Sequence, residues 1–273
     1  ILSHRGGVPG IPPGTEVETL VDHAAMLKLL CAAKPMNEDG RVQAYHALTG
    51  GFILQEVVER VTGDSLVAYW RKHFKQPMKM RFLDYGASRK DYNLMARDYI
   101  NGAHLPGFMS RYAQRLLGLD VEKDSDLLND YRFYAQSIPA GNMIGTAEEV
   151  SRFFQMLLDQ GSYEGRQILQ PRTVHRAVGE ASPHRMDQSL KLPLRFSAGM
   201  MLGGEPFGLF GGRSERAFGH LGLVNNIAWA DPQRNLSVAL MATGKPLLAH
   251  NLPFFANVVR TISSSVPRVS GRR

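Results

Sequence analysis

The chain has 273 residues, of which 44% are apolar and 21% are charged, and its formal net charge is +7. This composition supports a folded protein with a sizeable core and excludes a disordered or fibrous chain. The sequence contains no apolar run of about 18 residues, so we predict no transmembrane segment. The single cysteine, Cys31, excludes an internal disulfide framework and a cysteine-based metal cluster, and it fits a reducing, cytoplasmic compartment.

The basic excess is concentrated in the C-terminal tail and in one internal stretch, residues 71–81. The internal stretch flanks an amphipathic helix, so we interpret it as a solvated face, with a basic surface-binding module as the alternative. No aromatic stripe is interleaved with the basic residues and no nucleic-acid motif is present. We therefore expect no nucleic-acid partner.

The first half of the chain is predicted to be mostly helical. Residues 1–15 form a loop rich in glycine and proline that includes Pro13 and Gly14, and residues 18–33 form a helix. Cys31 falls on the apolar side of that helix and is expected to be an inert packing residue. A second helix ends at Thr62, with Gly63 as its left-handed closing residue and Asp64 as the N-cap of the next helix. Its predicted buried face is Leu54, Val57, Val58 and Val61.

Two later helices have clear sequence signals. Residues 108–117 place five apolar residues together and are expected to cover the core, where they could form one wall of a cleft: Phe108, Met109, Tyr112, Leu116 and Leu117. Thr146 and Glu149 form a Thr-x-x-Glu capping box that opens a regular amphipathic helix stopped by Gly161.

After Ser189 the pattern is typical of strands. Residues 196–202, 218–230 and 236–243 are predicted strands, and residues 231–235 join the last two as a hairpin. Asn251 and Pro253 begin a closing helix, and residues 263–273 are predicted to be a flexible tail. Helices followed by an antiparallel hairpin and a C-terminal helix indicate an α+β fold, an antiparallel sheet flanked by helices, and disfavour a parallel doubly wound sheet.

The common local signatures of catalysis are missing. The sequence has no G-x-S-x-G elbow, no phosphate-binding glycine loop, no dinucleotide fingerprint and no H-E-x-x-H motif. The nine histidines show no metal-ligand spacing. We therefore expect neither a metal site nor a cofactor.

Two stretches are candidates for a site. Tyr45 stands on a turn before a buried helix, where a fixed backbone and an accessible phenol would suit catalysis. Considered alone, the position favours an ordinary core tyrosine, since most buried tyrosines only pack and hydrogen-bond. His220 stands in a predicted strand between Gly219 and Gly222. Glycines inside a strand mark close approach by another backbone or by a ligand, and a β-bulge with a surface histidine is the alternative.

The order of these features along the chain resembles the serine hydrolases of the penicillin-binding-protein and class C β-lactamase fold, including the β-lactamase-like carboxylesterases. Residues 2–7 (LSHRGG) resemble that family's Leu-x-His-x-Ser-Gly segment, with Gly6 where serine is usual. Residues 140–147 resemble the segment before its long helix, and residues 45–47 and 220–222 resemble its Tyr-x-Asn and His-x-Gly motifs. The likeness runs in register to about Ile262.

The resemblance implies roles for these residues. Tyr45 would be the general base or proton shuttle, and His220 would orient Tyr45 or the substrate carbonyl. The strand that carries Gly222 would present the backbone N–H of Leu223 as half of an oxyanion hole. Ala47 departs from the usual Asn or Ser, which favours ester cleavage over β-lactam recognition. An unperturbed phenol titrates near pH 10, so such a base needs a neighbouring cation.

The family's Ser-x-x-Lys motif is absent, because no serine here has a lysine three positions later. In the family this motif precedes the segment that opens the chain. We therefore expect an N-terminally truncated copy that lacks the nucleophile and the N-terminal strands. The predicted organisation is one β-lactamase-like domain over residues 1–262, mostly helical over about 15–190, with the strands and last helix in 191–262.

Two functions follow from the resemblance. The full-length protein would hydrolyse small esters, or β-lactams, through an acyl-enzyme, with the ester or lactam as its small-molecule partner. Alternatively, the chain as given is catalytically inactive, a truncated homologue or a scaffold. The sequence does not indicate an oligomeric state.

Overall fold

A computed structural model describes residues 1–12, 15–37, 39–118, 120–223, 225–246 and 252–269. The chain forms two compact units, one of Ile1–Gly145 with Met186–Leu192 and the other of Thr146–Arg185 with Pro193–Arg273. The single domain predicted over residues 1–262 stays a prediction. Pro13, Gly14 and Asn251, which carry parts of the sequence-based assignment, lie outside the described residues.

The first unit is mainly helical. Its α-helices are α1 (His23–Ala32), α2 (Thr49–Thr62), α3 (Leu66–Trp70), α4 (Arg89–Tyr92), α5 (Gly107–Leu117) and α6 (Tyr131–Tyr134). Short 3-10 helices cover Val17–Val21 and Leu127–Asn129, and a π-helical turn covers Arg71–Lys75. Its strands are β1 (Asp84–Tyr85), β2 (Tyr99–Asn101) and β3 (Met143–Ile144), and β1 pairs with β3 in antiparallel fashion.

Helix α2 begins and ends close to its predicted limits but buries a different face. Gly63 closes it at φ 76°, as predicted. The expected inner face is wrong, because Val57 and Val61 are 50% and 79% exposed whereas Phe52 and Gln55 are buried. The inner face of α2 is set by its contact with α1, where His23 lies 5.9 Å from the Phe52 ring, and not by the valine spacing.

Two further details of the first unit correct the sequence analysis. Cys31 is exposed, because α1 turns Met26 and Leu30 inward instead. The N-cap of α3 is Ser65, whose Oγ accepts the N–H of Ala68 at 3.2 Å, and not Asp64. Side-chain geometry decides both cases, since neighbouring residues of similar chemistry compete for one position.

Helix α5 forms where it was predicted, but it does not cover the core. Phe108 is 69% exposed, and Met109 and Tyr112 are 38% and 39% exposed. Amphipathic spacing indicated the helix correctly, but of the five apolar residues only Leu116 and Leu117 are even half-buried. The predicted layer over the core is therefore wrong.

The second unit contains a six-stranded sheet. Its helices are α7 (Ala147–Leu158), α8 (Pro171–Val178) and α9 (Leu252–Ser265). Its strands are β4 (Ser162–Tyr163), β5 (Arg166–Gln167), β6 (Ser182–Met186), β7 (Pro193–Phe196), β8 (Met201–Leu202), β9 (Phe218–Leu221), β10 (Ile227–Asp231), β11 (Leu236–Leu240) and β12 (Gly244–Pro246). The sheet order is β11-β10-β9-β8-β7-β6, with β7 to β11 joined by antiparallel pairs, and β4 and β5 form a separate hairpin.

Helix α7 packs on this sheet and confirms the capping box. The Oγ1 of Thr146 accepts the N–H of Glu149 at 3.2 Å, which satisfies one of the free amides at the helix start. The Phe154 ring of α7 lies 6.4 Å from the Phe218 ring of β9. Trp229 on β10 is fully buried, and its ring stacks on the Phe210 ring with 6.0 Å between the ring centroids.

The predicted strands are present, but two of them are interrupted. The run 196–202 is divided between β7 and β8, and the run 218–230 is divided between β9, which ends at Leu221, and β10, which begins at Ile227. The hairpin at 231–235 is confirmed, since Asp231 pairs with Leu236 across it. Within the hairpin, buried Arg234 donates to Asp231 Oδ2 at 2.6 Å and to the Ser263 carbonyl at 2.7 Å.

Helix α9 extends past its predicted end. It runs to Ser265, so residues 263–265 of the predicted tail are helical, whereas residues 270–273 lie outside the described part. Val259 of this helix is buried. None of the helices in the described ranges has the length and apolar character that crossing a bilayer requires. The molecule is therefore a mixed helix-and-sheet protein, as the sequence predicts.

Candidate active site

The turn before α2 holds three consecutive backbone amides in place. The N–H of Ala44 donates to the His4 carbonyl at 2.9 Å, and the N–H of His46 donates to His4 Nδ1 at 3.1 Å. Between them, the N–H of Tyr45 donates to Asp187 Oδ1 at 3.1 Å. The backbone that presents Tyr45 is thus bound from two distant segments of the chain, residues 1–7 and 186–192.

Asp187 is the centre of the second of these segments. It is fully buried, and its Oδ1 also accepts the N–H groups of Ser189 and Leu190 at 2.9 Å each. Its Oδ2 is buried without a hydrogen-bond partner among the described residues. The N–H of Gln188 donates to the Gln43 carbonyl at 2.9 Å, which places a second bond between the same two segments.

The hydrogen bonds indicate which ring nitrogen carries the proton in His46 of the turn and in His4, which binds the turn. His4 Nδ1 accepts a backbone N–H and therefore carries no proton, while His46 Nδ1 faces the Ala44 carbonyl at 2.7 Å and therefore carries one. His46 is buried, and burial lowers its pKa below the usual value. The neutral imidazole leaves His46 Nε2 as a buried acceptor without a described partner.

The electrostatics of this turn keep the phenol of Tyr45 protonated. Burial, and secondly the negative charge of Asp187, raise the pKa of Tyr45 to about 12. The rings of Tyr45 and His4 meet edge to face at 4.8 Å. At neutral pH this tyrosine is a proton donor, and it would accept a proton only beside a cation that favours the phenolate.

The glycine-flanked histidine lies on β9 of the second unit. A Cβ on Gly219 would lie 2.1 Å from the Ala228 carbonyl oxygen of β10, so close approach by a neighbouring strand explains this glycine. His220 is half-buried, burial lowers its pKa, and its Nδ1 faces the Leu221 carbonyl at 2.7 Å. The expected strand is therefore present. Of the two expected causes of a glycine at position 219, another backbone or a ligand, the backbone of the neighbouring strand accounts for it.

The two remaining predicted site residues, Gly222 and Leu223, directly follow the end of β9. The N–H of Gly222 donates to the Asn226 carbonyl at 2.6 Å, and the side chain of Leu223 is 59% exposed. Tyr45 belongs to the first unit, and His220, Gly222 and Leu223 belong to the second. The structure thus gives two groups of predicted site residues, each held by its own unit.

Sequence reasoning missed Asp187 altogether. Its local signal is an Asp-x-Ser turn, in which a carboxylate binds the amides two and three residues on. Such turns are common on protein surfaces, and nothing in the sequence near residue 187 indicates a bond to residue 45.

One group of side chains has metal-ligand chemistry. His23, Glu56 and Glu59 bring one ligand atom each within 4.8 Å of one another. Arg60 donates to Glu56 at 2.6 Å and the N–H of Leu66 donates to Glu59 at 3.1 Å, so both carboxylates are already bound. These bonds explain the group as an ion-pair cluster, and we assign no metal to it.

The basic stretch 71–81 is partly neutralised within the first unit. Arg71 and Lys75 both donate to the buried carboxylate of Asp84, at 2.8 and 2.7 Å, and Lys72 lies 3.4 Å from Asp64. Arg71 and Lys75 also line a cleft of about 270 Å³, and a larger one of about 630 Å³ borders residues 7–12 and α1. Neither cleft is lined by Tyr45 or His220.

Comparison with known proteins gives a consistent family. Among curated proteins, the esterase/beta-lactamase LipL of Mycobacterium tuberculosis (strain H37Rv) is 28% identical over 258 residues, which cover 88% of this chain. The match spans 57% of the length of LipL, so this chain corresponds to little more than half of that relative.

Solved structures share the fold. A penicillin-binding protein homologue from Caulobacter crescentus matches with a TM-score of 0.77 at 22% identity, over 97% of this chain and 70% of its own. A family VIII carboxylesterase matches with a TM-score of 0.76 at 23% identity, over 94% of this chain and 69% of its own. The Beta-lactamase family profile matches residues 1–253, and the chain therefore belongs to the Beta-lactamase family.

Proposed function

We propose that this protein acts as a serine hydrolase that cleaves small esters through an acyl-enzyme, with Tyr45 as the group that transfers the proton. The observation that carries the proposal is the anchored turn of Tyr45, whose three amides are bound by His4 and Asp187. A catalytic acid or base must be held in place while its reacting atom stays available. Family membership and the esterase names among its relatives support the reaction class.

The strand residues complete the proposed machinery. The backbone N–H of Leu223, presented after Gly222, is the proposed donor to the oxyanion of the tetrahedral intermediate. His220 is the proposed orienting group for the tyrosine or the substrate carbonyl. It is neutral at physiological pH because burial lowers its pKa, so it can both donate and accept a hydrogen bond.

Esters are favoured over β-lactams as substrates. Ala47 stands where the family motif has Asn or Ser, so position 47 contributes neither an amide nor a hydroxyl for a lactam carbonyl or side-chain amide. An ester has no N–H to recognise, and it loses less from this replacement.

The chemistry requires an acylated serine and a cation beside Tyr45. The family uses Ser-x-x-Lys for both, and none of the serines in these 273 residues is followed by lysine at the third position. A non-catalytic role for this chain, as a scaffold of the family fold, is therefore the second candidate function.

The assay for the first candidate follows hydrolysis of short-chain nitrophenyl esters by the full translation product of the gene and by the 273-residue chain. Tyr45→Phe is expected to lower kcat/KM about 10²–10⁴-fold, the usual contribution of a general acid or base. Tyr85→Phe is the matched control, because the Tyr85 pKa is also raised by burial and this residue lies outside the family motifs. Activity that is indifferent to Tyr45→Phe, or absent from the full product, would refute the proposal.

A fluorophosphonate probe separates the two candidates on the 273-residue chain. The non-catalytic role predicts no labelling under conditions that label a serine esterase to completion. Stoichiometric labelling of any serine would refute that role.

A further inference from the structure

The segment 186–192 belongs to the first unit although the residues on both sides of it belong to the second. It is tied to the tyrosine turn by the Asp187–Tyr45 and Gln188–Gln43 bonds. It closes on itself through the N–H of Asp187, which donates to the Leu192 carbonyl at 2.9 Å. This segment, here called the aspartate loop, brings one buried carboxylate to the backbone of Tyr45.

We propose that Asp187 is the positioning residue of Tyr45, fixing the backbone of the tyrosine through its Oδ1 and placing a buried carboxylate against the tyrosine turn. This inference rests on the proposed function, in which Tyr45 transfers the proton. Asp187 touches no reacting atom in this scheme and acts only through Tyr45.

The hydrogen-bond geometry carries the first half of the inference. One carboxylate oxygen accepts three N–H groups, two from its own loop and one from a residue 142 positions away. The two local bonds hold the carboxylate in a fixed direction, so the third bond holds Tyr45 to a rigid support. The carboxylate that makes these three bonds is fully buried.

The charges around the turn carry the second half. The Tyr45 ring meets the His4 ring edge to face at 4.8 Å, and the His4 ring lies 5.9 Å from the His46 ring. Tyr112 contacts the aspartate loop, where its Oη donates to the Ser189 carbonyl at 2.6 Å. His4 Nδ1 accepts an N–H and burial lowers the pKa of His46, so among these groups Asp187 is the source of negative charge, and it raises the pKa of Tyr45 second to burial.

The consequence concerns what the tyrosine can do. Because burial and secondly Asp187 raise its pKa, Tyr45 keeps its proton at neutral pH and can donate it, for example to the alkoxide oxygen that leaves an ester as the acyl group passes to the serine. Use of Tyr45 as a base requires a cation strong enough to outweigh both burial and Asp187. The aspartate thus raises the threshold for phenolate formation.

The test measures the titration of the phenol directly. Tyr45 is replaced by 3,5-difluorotyrosine, whose more acidic phenol titrates while the protein is folded, and its fluorine resonances are followed against pH. Asp187→Asn keeps an oxygen acceptor and removes the charge. The midpoint is expected to fall by about one pH unit, the size of effect that a nearby charge produces. An unchanged midpoint would overturn the electrostatic half of the inference.

Asp120→Asn is the matched control. Asp120 also accepts backbone N–H groups of its own loop, those of Glu122 and Lys123, and it lies in the same unit. It does not touch the tyrosine turn, so the midpoint is expected to stay unchanged. An equal fall in both variants would mean that the effect is a general loss of negative charge, which would overturn the role of Asp187.

Amide hydrogen exchange tests the positioning half. In Asp187→Ala the N–H of Tyr45 is expected to exchange at least about tenfold faster, whereas in Asp187→Asn it keeps most of its protection because an acceptor remains. Equal protection of Tyr45 in parent and Asp187→Ala would overturn the anchoring role. Neither measurement needs hydrolysis, so absence of esterase activity from the full translation product would refute the proposed function and leave this result readable.

Discussion

Gly219 is the position in the six-stranded sheet where an added methyl group would clash directly with the neighbouring strand. It lies on β9 opposite Trp229 of β10. A Cβ added there would lie 2.1 Å from the Ala228 carbonyl oxygen and 2.6 Å from the Cα and Cβ of Trp229. All three atoms belong to the backbone or to a fully buried residue, so none can move aside alone.

The size of the effect follows from these distances. Ordinary van der Waals contact needs about 3.4 Å or more, so β9 and β10 would have to separate by roughly 1 Å. Overpacking costs about 1–3 kcal/mol, and each ladder hydrogen bond weakened by the separation adds about 1 kcal/mol. We expect Gly219→Ala to lower the free energy of unfolding by about 3–5 kcal/mol, which corresponds to a fall in Tm of at least about 6 °C.

The assay is thermal unfolding followed by calorimetry, with two glycine variants of the same unit for comparison. In Gly222→Ala the new Cβ would meet Asn226 Cβ at 3.0 Å, and in Gly212→Ala the nearest atom is the Pro206 carbonyl oxygen at 3.4 Å. The expected order of destabilisation is therefore Gly219, then Gly222, then Gly212. A Tm of Gly219→Ala within about 2 °C of that of Gly212→Ala would refute the close packing of β9 on β10.

Three other predictions rest on buried polar groups. Gly6→Ser adds a hydroxyl beside His46 Nε2, 3.3 Å from the new Cβ, so it should be about 1 kcal/mol more stable than Gly6→Ala in urea; equal midpoints would contradict this. Arg234→Met leaves the buried carboxylate of Asp231 without its cation and should cost about 3–5 kcal/mol by the same measurement, whereas a loss below about 1 kcal/mol would show that the pair is dispensable. Burial lowers the pKa of His46 and of His220, so the unfolded chain binds protons that the folded chain does not, and stability is lost as pH falls below about 6.5. Thermal unfolding between about pH 7.5 and 5.5 should show this loss, with a smaller slope in His46→Gln; identical slopes would count against His46 as its source.

Local chemistry was the part of the fold that sequence could predict. Thr146 caps α7 and Gly63 closes α2 because each effect depends on atoms within about one helical turn. The hairpin between β10 and β11 was predicted for the same reason, since Asp231 and the residues after it form the turn themselves.

Burial was harder to predict, because it depends on which face finds a partner. The valines of α2 have the spacing of a core face, yet Val61 is 79% exposed and Gln55 is buried. Cys31 was assigned to a buried side for the same reason and is exposed. The interruption of residues 218–230 was not predicted because apolar residues flank it on both sides, although Gly222, Asn225 and Asn226 are typical turn residues.

The candidate site divides in the same way. Tyr45 and His220 were found because they stand in motifs with a fixed order along the chain. Asp187 was not, because its bond to Tyr45 uses a backbone N–H, which every residue except proline offers. A contact through the backbone N–H imposes no preference for a residue type at position 45, so the sequence around the tyrosine does not indicate it.

The bond between Tyr45 and Asp187 also orders events during synthesis, because its two ends are 142 residues apart. A ribosome that adds about 5–20 residues per second needs roughly 7–30 s to travel from one to the other. Throughout that interval His4, on the N-terminal side, can already bind the nascent tyrosine turn, whereas Asp187 has not been synthesised. The turn therefore gains its aspartate anchor only after α7 has been translated.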